Sequence, residues 1–148
     1  MPRLDAERVA VWRTFSTAAD LVSRRVEHEL AYEFNLSLPQ FELLTVLAKA
    51  TRPLRVREIT EALSAVPSSL SRRIDSLVTR GYVLRHQAGP DDDARSVQVS
   101  LTRDGRLVWR DANVAYRRAV QREFAAHLTE TDVTALWRLL GKLPPQRS

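Results

Sequence analysis

Ser68, Ser69, Ser71 and Arg72 lie within five residues of one another, directly after Pro67. Small hydroxyls can approach a base edge or a phosphate closely and bond either. A guanidinium can bond guanine O6 and N7 together. With residues 67–80 set on a helix at about 100° per residue, Leu70, Ile74, Leu77 and Val78 fall on one side. Ser68, Arg72, Asp75 and Thr79 fall opposite, with Ser69 and Ser71 flanking them. A polar face of this kind, close to a helix N-terminus whose free amides also attract phosphate, suits the major groove of DNA. An ordinary solvated helix face has the same pattern when taken alone, so the neighbouring elements must decide.

Those neighbours form a recognisable order. A short helix over 56–63 turns inward Ile59, Ala62 and Leu63, and the tight turn Ser64-Ala65-Val66 leads from it into the serine-rich helix. Gly81 stands just past that helix, where a left-handed residue commonly ends one. Tyr82, Val83 and Leu84 then precede Arg85 and His86. After a loop over Ala88–Ala94, with Gly89-Pro90-Asp91 at its tip, Val97, Val99 and Leu101 alternate with Ser96, Gln98 and Ser100. Alternation with period two predicts a strand, and two strands about a charged loop predict a hairpin. Helix, turn, helix and hairpin make a winged helix-turn-helix, a mainly α fold with a small β-hairpin.

In that arrangement Ser68, Ser69, Ser71 and Arg72 read the major groove. The hairpin is a wing whose Arg85, His86 and Arg95 approach the adjacent minor groove, where an arginine responds to groove width. Acids repel phosphate, so Asp91, Asp92 and Asp93 need another role: Asp93 can hold Arg95 in place, or the run can serve loop solubility. His86 is the one histidine near them in sequence, and no metal is expected. Residues 49–73 hold six basic groups against the two acids Glu58 and Glu61. Among these, Arg55, Arg57 and Arg73 are expected to position phosphates.

The remaining segments are helical. Val9, Trp12, Phe15, Ala19, Val22, Val26 and Leu30 recur at steps of three and four through 5–33, uninterrupted by glycine or proline. Such a helix is about 40 Å long, which outruns a single compact lobe and predicts a partner chain. Ser37-Leu38-Pro39-Gln40 begins a second helix with a capping box. Thr102 caps a helix over 103–127, lined by Val108, Ala112, Ala115 and Ala119. Thr129 to Asp132 caps a final one with Val133, Leu136, Trp137, Leu140 and Leu143 on its apolar face. Residues 1–36 and 103–148 therefore read as a helical dimerisation lobe, and 37–102 as the DNA-binding lobe.

Composition excludes several alternatives. The 148 residues include no cysteine, which removes disulfides, thiolate metal sites and a cysteine nucleophile. The four glycines form no phosphate-cradling pattern. No apolar run approaches the ~20 residues that span a bilayer, and the charged N-terminal segment does not resemble a signal peptide. A cytoplasmic location without membrane attachment is the expectation. Net charge is +5, weak evidence by itself for a polyanionic partner. Arginine outnumbers lysine 21 to 2, which fits phosphate recognition but equally a GC-rich genome. Ser68, Ser69 and Ser71 lie outside any G-x-S-x-G setting, and His28, His86 and His127 are far apart. No catalysis and no cofactor are expected.

The stretch from Asp93 and Arg95 through Val97, Val99 and Leu101-Thr102 to Gly105 resembles the wing signature of the MarR family. Leu38-Pro39-Gln40-Phe41 and Leu44 resemble that family's second helix. Leu63, Ser69, Leu70, Ser71, Arg72, Ile74, Asp75, Leu77 and Gly81 follow its recognition-helix pattern. The resemblance covers nearly the whole chain. It implies a homodimer whose first, fifth and sixth helices interlock, two recognition helices on a pseudo-palindromic double-stranded operator, and a transcriptional regulator, most often a repressor released by a small, often aromatic ligand. A family ligand crevice between the lobes would draw on Trp12, Phe15, His28, Phe41, Trp109 and Tyr116, although core packing suits the same residues. The absence of cysteine separates the chain from oxidation-sensing members. Ala94 replaces a frequent basic residue, Ser64 a frequent glycine, Val66-Pro67 the usual polar cap and Arg73 a frequently apolar residue. The competing reading is a winged helix used as a protein-interaction module without specific DNA binding.

Overall fold

The computed structural model describes residues 5–63, 65–87 and 97–144. Among them are α1 (Ala6–Phe34), α2 (Leu38–Lys49), β1 (Leu54–Arg55), α3 (Val56–Leu63), α4 (Pro67–Thr79), β2 (Val83–Gln87), β3 (Val97–Leu101), α5 (Arg103–Glu123), a 3₁₀ turn (Ala125–His127) and α6 (Glu130–Leu140). The fold is the mainly helical winged helix-turn-helix expected from the sequence. The turn residue Ser64 and the wing loop 88–96 lie outside the described residues.

Helix boundaries follow local chemistry. The Asp5 carboxylate accepts from the amides of Glu7 and Arg8 at 3.0 and 3.1 Å and starts α1. With no breaker inside, α1 continues for 29 residues until Asn35 turns left-handed at φ 52°. Ser37 and Gln40 form the reciprocal capping box of α2. Gly81, at φ 78°, allows its own amide to reach the Val78 carbonyl and that of Tyr82 to reach Leu77, both at 3.0 Å. This paired closure is what a left-handed residue permits at a helix end. Thr129 and Asp132 cap α6 reciprocally, and the Thr129 bonds hold the Asp132 carboxyl below its usual pKa. The helix expected over 103–127 stops at Glu123. Phe124 leaves helical geometry (φ −131°, ψ −65°), and the next residues tighten into the 3₁₀ turn.

The sheet has three antiparallel strands in the order β1-β3-β2, one more than the expected hairpin. Leu54 and Arg55 pair with Val99 and Gln98. Two residues are too few to display a period, so this strand leaves no sequence signal. In the wing stem, Val83 faces Leu101 and Gln87 faces Val97.

One core lies beneath these elements. Phe41, Leu44, Ile59, Leu70, Leu77 and Val99 are fully buried, and α1 and α5 reach into the same cluster through Leu30 and Ala112. Buried Ala112, Ala115 and Ala119 allow α5 to pack closely along α1. Upstream of Val26, α1 buries no described side chain, and α6 buries none at all. Trp12 is 62% exposed and Trp137 75%, so among the described residues much of the apolar stripe on the first half of α1 and on α6 stays open to solvent.

An ion pair braces the segment that carries Arg55 and Arg57. Both guanidinium nitrogens of Arg52 donate to Glu58, at 3.0 and 2.6 Å, and the Arg55 amide donates to the same carboxylate at 3.1 Å. The Arg52 bond first, then the Arg55 amide, lower the Glu58 pKa to about 2. A depressed carboxylate contributes stability above its unfolded pKa and loses it as pH falls through the folded value. The contribution is therefore lost between about pH 4.5 and 2. Both groups are solvent-exposed, so the effect is small. In acid melting curves, Glu58→Gln should flatten the decline across that window and leave neutral stability nearly unchanged.

Candidate nucleic-acid interface

The polar face of α4 is built as its spacing requires. Leu70, Ile74 and Leu77 are buried in the core, while Ser68, Ser69, Ser71 and Arg72 all project to solvent within the first two turns. Val66 occupies the cap position and makes no side-chain hydrogen bond there. Among the described residues the first amides of α4 thus receive no cap from Val66, and the positive end of the helix dipole lies on the same side as the exposed serines.

The expected accessory residues divide into groups. Arg57 is exposed on α3, 3.5 Å from Glu61, and Arg55 is exposed on β1. Arg73 is half-buried in a crevice with Glu27, Leu38, Pro39, Glu42 and Ala62. One helical step beyond Arg72, it turns from the serine face towards α2, and burial pulls its pKa down. Arg85 and His86 lie in the β2 stem. Arg85 forms an ion pair with Asp75 of α4, and His86 Nε2 lies 2.7 Å from Ser100 Oγ. Asp93 and Arg95 lie outside the described residues.

The six residues considered for a ligand crevice do not form one cluster. Phe15 and Tyr116 line an apolar groove of about 430 Å³ with Val22, Leu38, Phe124 and Leu136. Phe41 lies behind it, buried, with its ring 4.7 Å from that of Tyr116. Burial, reinforced by the Glu42 charge, raises the Tyr116 pKa. Trp109 donates from Nε1 to Thr45 Oγ1 at 3.1 Å and packs against the core. Trp12 is largely exposed, 6.4 Å from Phe15 between ring centres. His28 belongs to a separate polar crevice, with Arg24, Arg25, Tyr32, Arg122 and Glu123.

Sequence reasoning missed Arg80, the residue just before Gly81. Its guanidinium donates to the Asn35 carbonyl at 2.6 Å and to that of Phe34 at 3.0 Å, and lies 4.9 Å above the Tyr82 ring. Its partners are backbone atoms some 45 residues away, which no local pattern reveals. Nearby, Gln40 Nε2 donates to Ser76 Oγ at 3.1 Å. Among the described residues no three His, Asp or Glu side chains gather to hold a metal, and no helix is long and apolar enough to cross a membrane.

Comparisons with known proteins place this geometry. The MarR family model matches residues 34–96. No curated protein sequence matches significantly. Among solved structures, Sco3205, a MarR family transcriptional regulator from Streptomyces coelicolor in complex with DNA, is 27% identical with TM-score 0.85. That match covers 95% of this chain and 94% of the other. A mutant MarR from E. coli complexed with operator DNA is 25% identical with TM-score 0.81, covering 96% and 99%. AbsC, a MarR family regulator from Streptomyces coelicolor, shares the fold at 24% identity and TM-score 0.84, covering 95% and 93%. By sequence across residues 34–96 this protein resembles the MarR family, and across nearly its whole length it shares the fold of winged-helix transcriptional regulators of that family.

Proposed function

We propose that the protein acts as a homodimer that binds a pseudo-palindromic double-stranded operator and represses transcription until a small, apolar or aromatic ligand releases it. The observation that carries DNA binding is the outward face of α4, where Ser68, Ser69, Ser71 and Arg72 project together beside exposed Arg55 and Arg57. Two similar structures are complexes with DNA, which supports the same partner here. The exposed apolar side chains of α1 and α6, Trp12 and Trp137 among them, support the homodimer and the assignment of 1–36 and 103–148 to its lobe. The groove between Phe15, Tyr116 and Phe124 supports an apolar effector.

Arg85 and His86 have intramolecular partners, Asp75 and Ser100, so their part in this reading is to stiffen the wing stem. Wing-tip contact falls to Arg95, with Asp93 beside it in sequence. Arg73 contributes long-range charge from its crevice.

Fluorescence anisotropy tests the reading. DNA from upstream of the protein's own gene is compared with a scrambled duplex across a salt series. Tight binding to the first alone, weakening steeply with salt as counterions are released, is the expected result. Binding to neither duplex at low salt would favour the protein-interaction module. On a bound operator, Arg72→Ala should cost about 1–3 kcal/mol and relax base preference, whereas Arg57→Ala should weaken all sequences alike and reduce the salt slope by about one. Unchanged affinity and preference in Arg72→Ala would remove α4 from the reading role.

A further inference from the structure

We infer that Arg80 is a positioning residue that sets the angle between the recognition helix α4 and the long helix α1, and thereby the half-site spacing the dimer accepts. The inference rests on the dimeric DNA-binding reading above.

The end of α1 needs an external partner. A helix terminus leaves carbonyls without intrahelical donors, and its negative dipole end favours a cation. Asn35 and Leu36 amides satisfy Ala31 and Leu30, at 3.0 and 3.3 Å, but the Phe34 and Asn35 carbonyls remain, and the last turn of α1 carries no basic side chain. Arg80 supplies both the charge and the two donors from a different element. A guanidinium presents its donors in a rigid fork, so two simultaneous bonds fix direction as well as distance.

The root of this fork is itself rigid. Arg80 is the cap residue of α4, its amide bonded to the Ser76 carbonyl, and the Gly81 and Tyr82 amides close the helix behind it. The Tyr82 ring supports the guanidinium from beneath. Among the described residues, the hydrogen bonds that join α4 to the end of α1 are those two. α1 carries the exposed stripe that would meet the partner, and α4 carries the DNA-facing serines. Whatever fixes the angle between them fixes the separation of two recognition helices across a two-fold axis. Half-site spacing is read by that separation.

The test measures affinity for operators whose half-sites are moved one base pair apart or together. The parent should lose about 50-fold or more on a one-pair insertion, as expected when only one half-site can be engaged. In Arg80→Met, which keeps the side-chain stem but not the fork, affinity for the natural spacing should fall about tenfold and the insertion penalty should shrink to about fivefold or less, with the salt slope unchanged. Arg80→Lys, which can reach one carbonyl at a time, should fall between. Retained spacing selectivity overturns the inference. A salt slope reduced by about one with selectivity intact would make Arg80 a phosphate contact instead.

A second arm needs no DNA. Because the chain lacks cysteine, Asp20→Cys and Ser71→Cys can be spin-labelled as a pair and diluted with unlabelled chain. The intrachain distance distribution should be narrow in the parent and clearly broadened in Arg80→Met. Equal widths overturn the inference, while a parent that binds no spaced operator counts against the functional reading and leaves this arm to decide on Arg80.

Discussion

Gly105→Ala should melt roughly 6–12 °C below the parent, corresponding to about 3 kcal/mol or more for a chain of this size. Gly105 is buried in the first turn of α5, and a Cβ there would overlap the Tyr82 carbonyl oxygen and stand 2.8 Å from its carbon. Neither side can yield easily. The Tyr82 carbonyl accepts the Thr102 amide at 3.1 Å, and the Tyr82 amide is bound to Leu77 at 3.0 Å. Thr102 Oγ1 also donates to the Gly81 carbonyl at 2.6 Å while accepting from the Gly105 amide at 2.9 Å. A methyl group would therefore force α5 away from the root of the wing. Gly81→Ala is the control. Its Cβ meets nothing within 4 Å, and only the backbone at φ 78° resists it, for about 1–2 kcal/mol. Thermal melts of the two variants by circular dichroism should rank Gly105→Ala well below Gly81→Ala. The reverse order would show that α5 does not approach Tyr82 as described.

Val133→Glu combined with Trp137→Glu should produce a monomer whose operator affinity is lower by a factor of about 10²–10⁴, the advantage gained by linking two half-site contacts. The two side chains lie one turn apart on α6, 42% and 75% exposed within the chain. Neither belongs to the buried core, so the fold of residues 37–102 should survive. In a seam between chains, by contrast, two carboxylates would be stripped of water with no cation opposite. Sedimentation velocity reads the oligomeric state and anisotropy the DNA affinity. A variant that remains dimeric with full affinity would exclude α6 from the seam.

What could be read in advance depended on how local the governing interaction is. Ser37 with Gln40, Thr102, Thr129 with Asp132, and Gly81 each act within a few residues, and all four boundaries are where the sequence puts them. The two faces of α4 were legible for the same reason, because a helical period separates Leu70, Ile74 and Leu77 from Ser68 and Arg72 within thirteen residues. Tertiary pairing was not legible. β1 exists because Val99 is available to Leu54. Arg85 turns to Asp75, and Arg80 to carbonyls of another helix. The aromatic residues show the same limit. Phe41 and Trp109 have the helical spacing of crevice residues and are consumed by packing. His28 lies on the opposite side of α1 from Phe15, in a crevice of its own.

The uneven burial along α1 and α6 has a thermodynamic consequence. Residues 37–102 supply most of the buried core, which Leu30 and Ala112 complete, whereas α1 upstream of Val26 and the whole of α6 hold no fully buried residue in a single chain. In the homodimer proposed above, a second copy would act for those arms as a ligand that binds only the folded form, and such a ligand raises apparent stability by mass action. The melting temperature should then climb with protein concentration, and dilution should fray the arms before it disturbs the interior. In that dimer the cooperative unit of folding would be larger than one polypeptide, and the amount of protein present would become one of the variables that decide how much of each chain is folded.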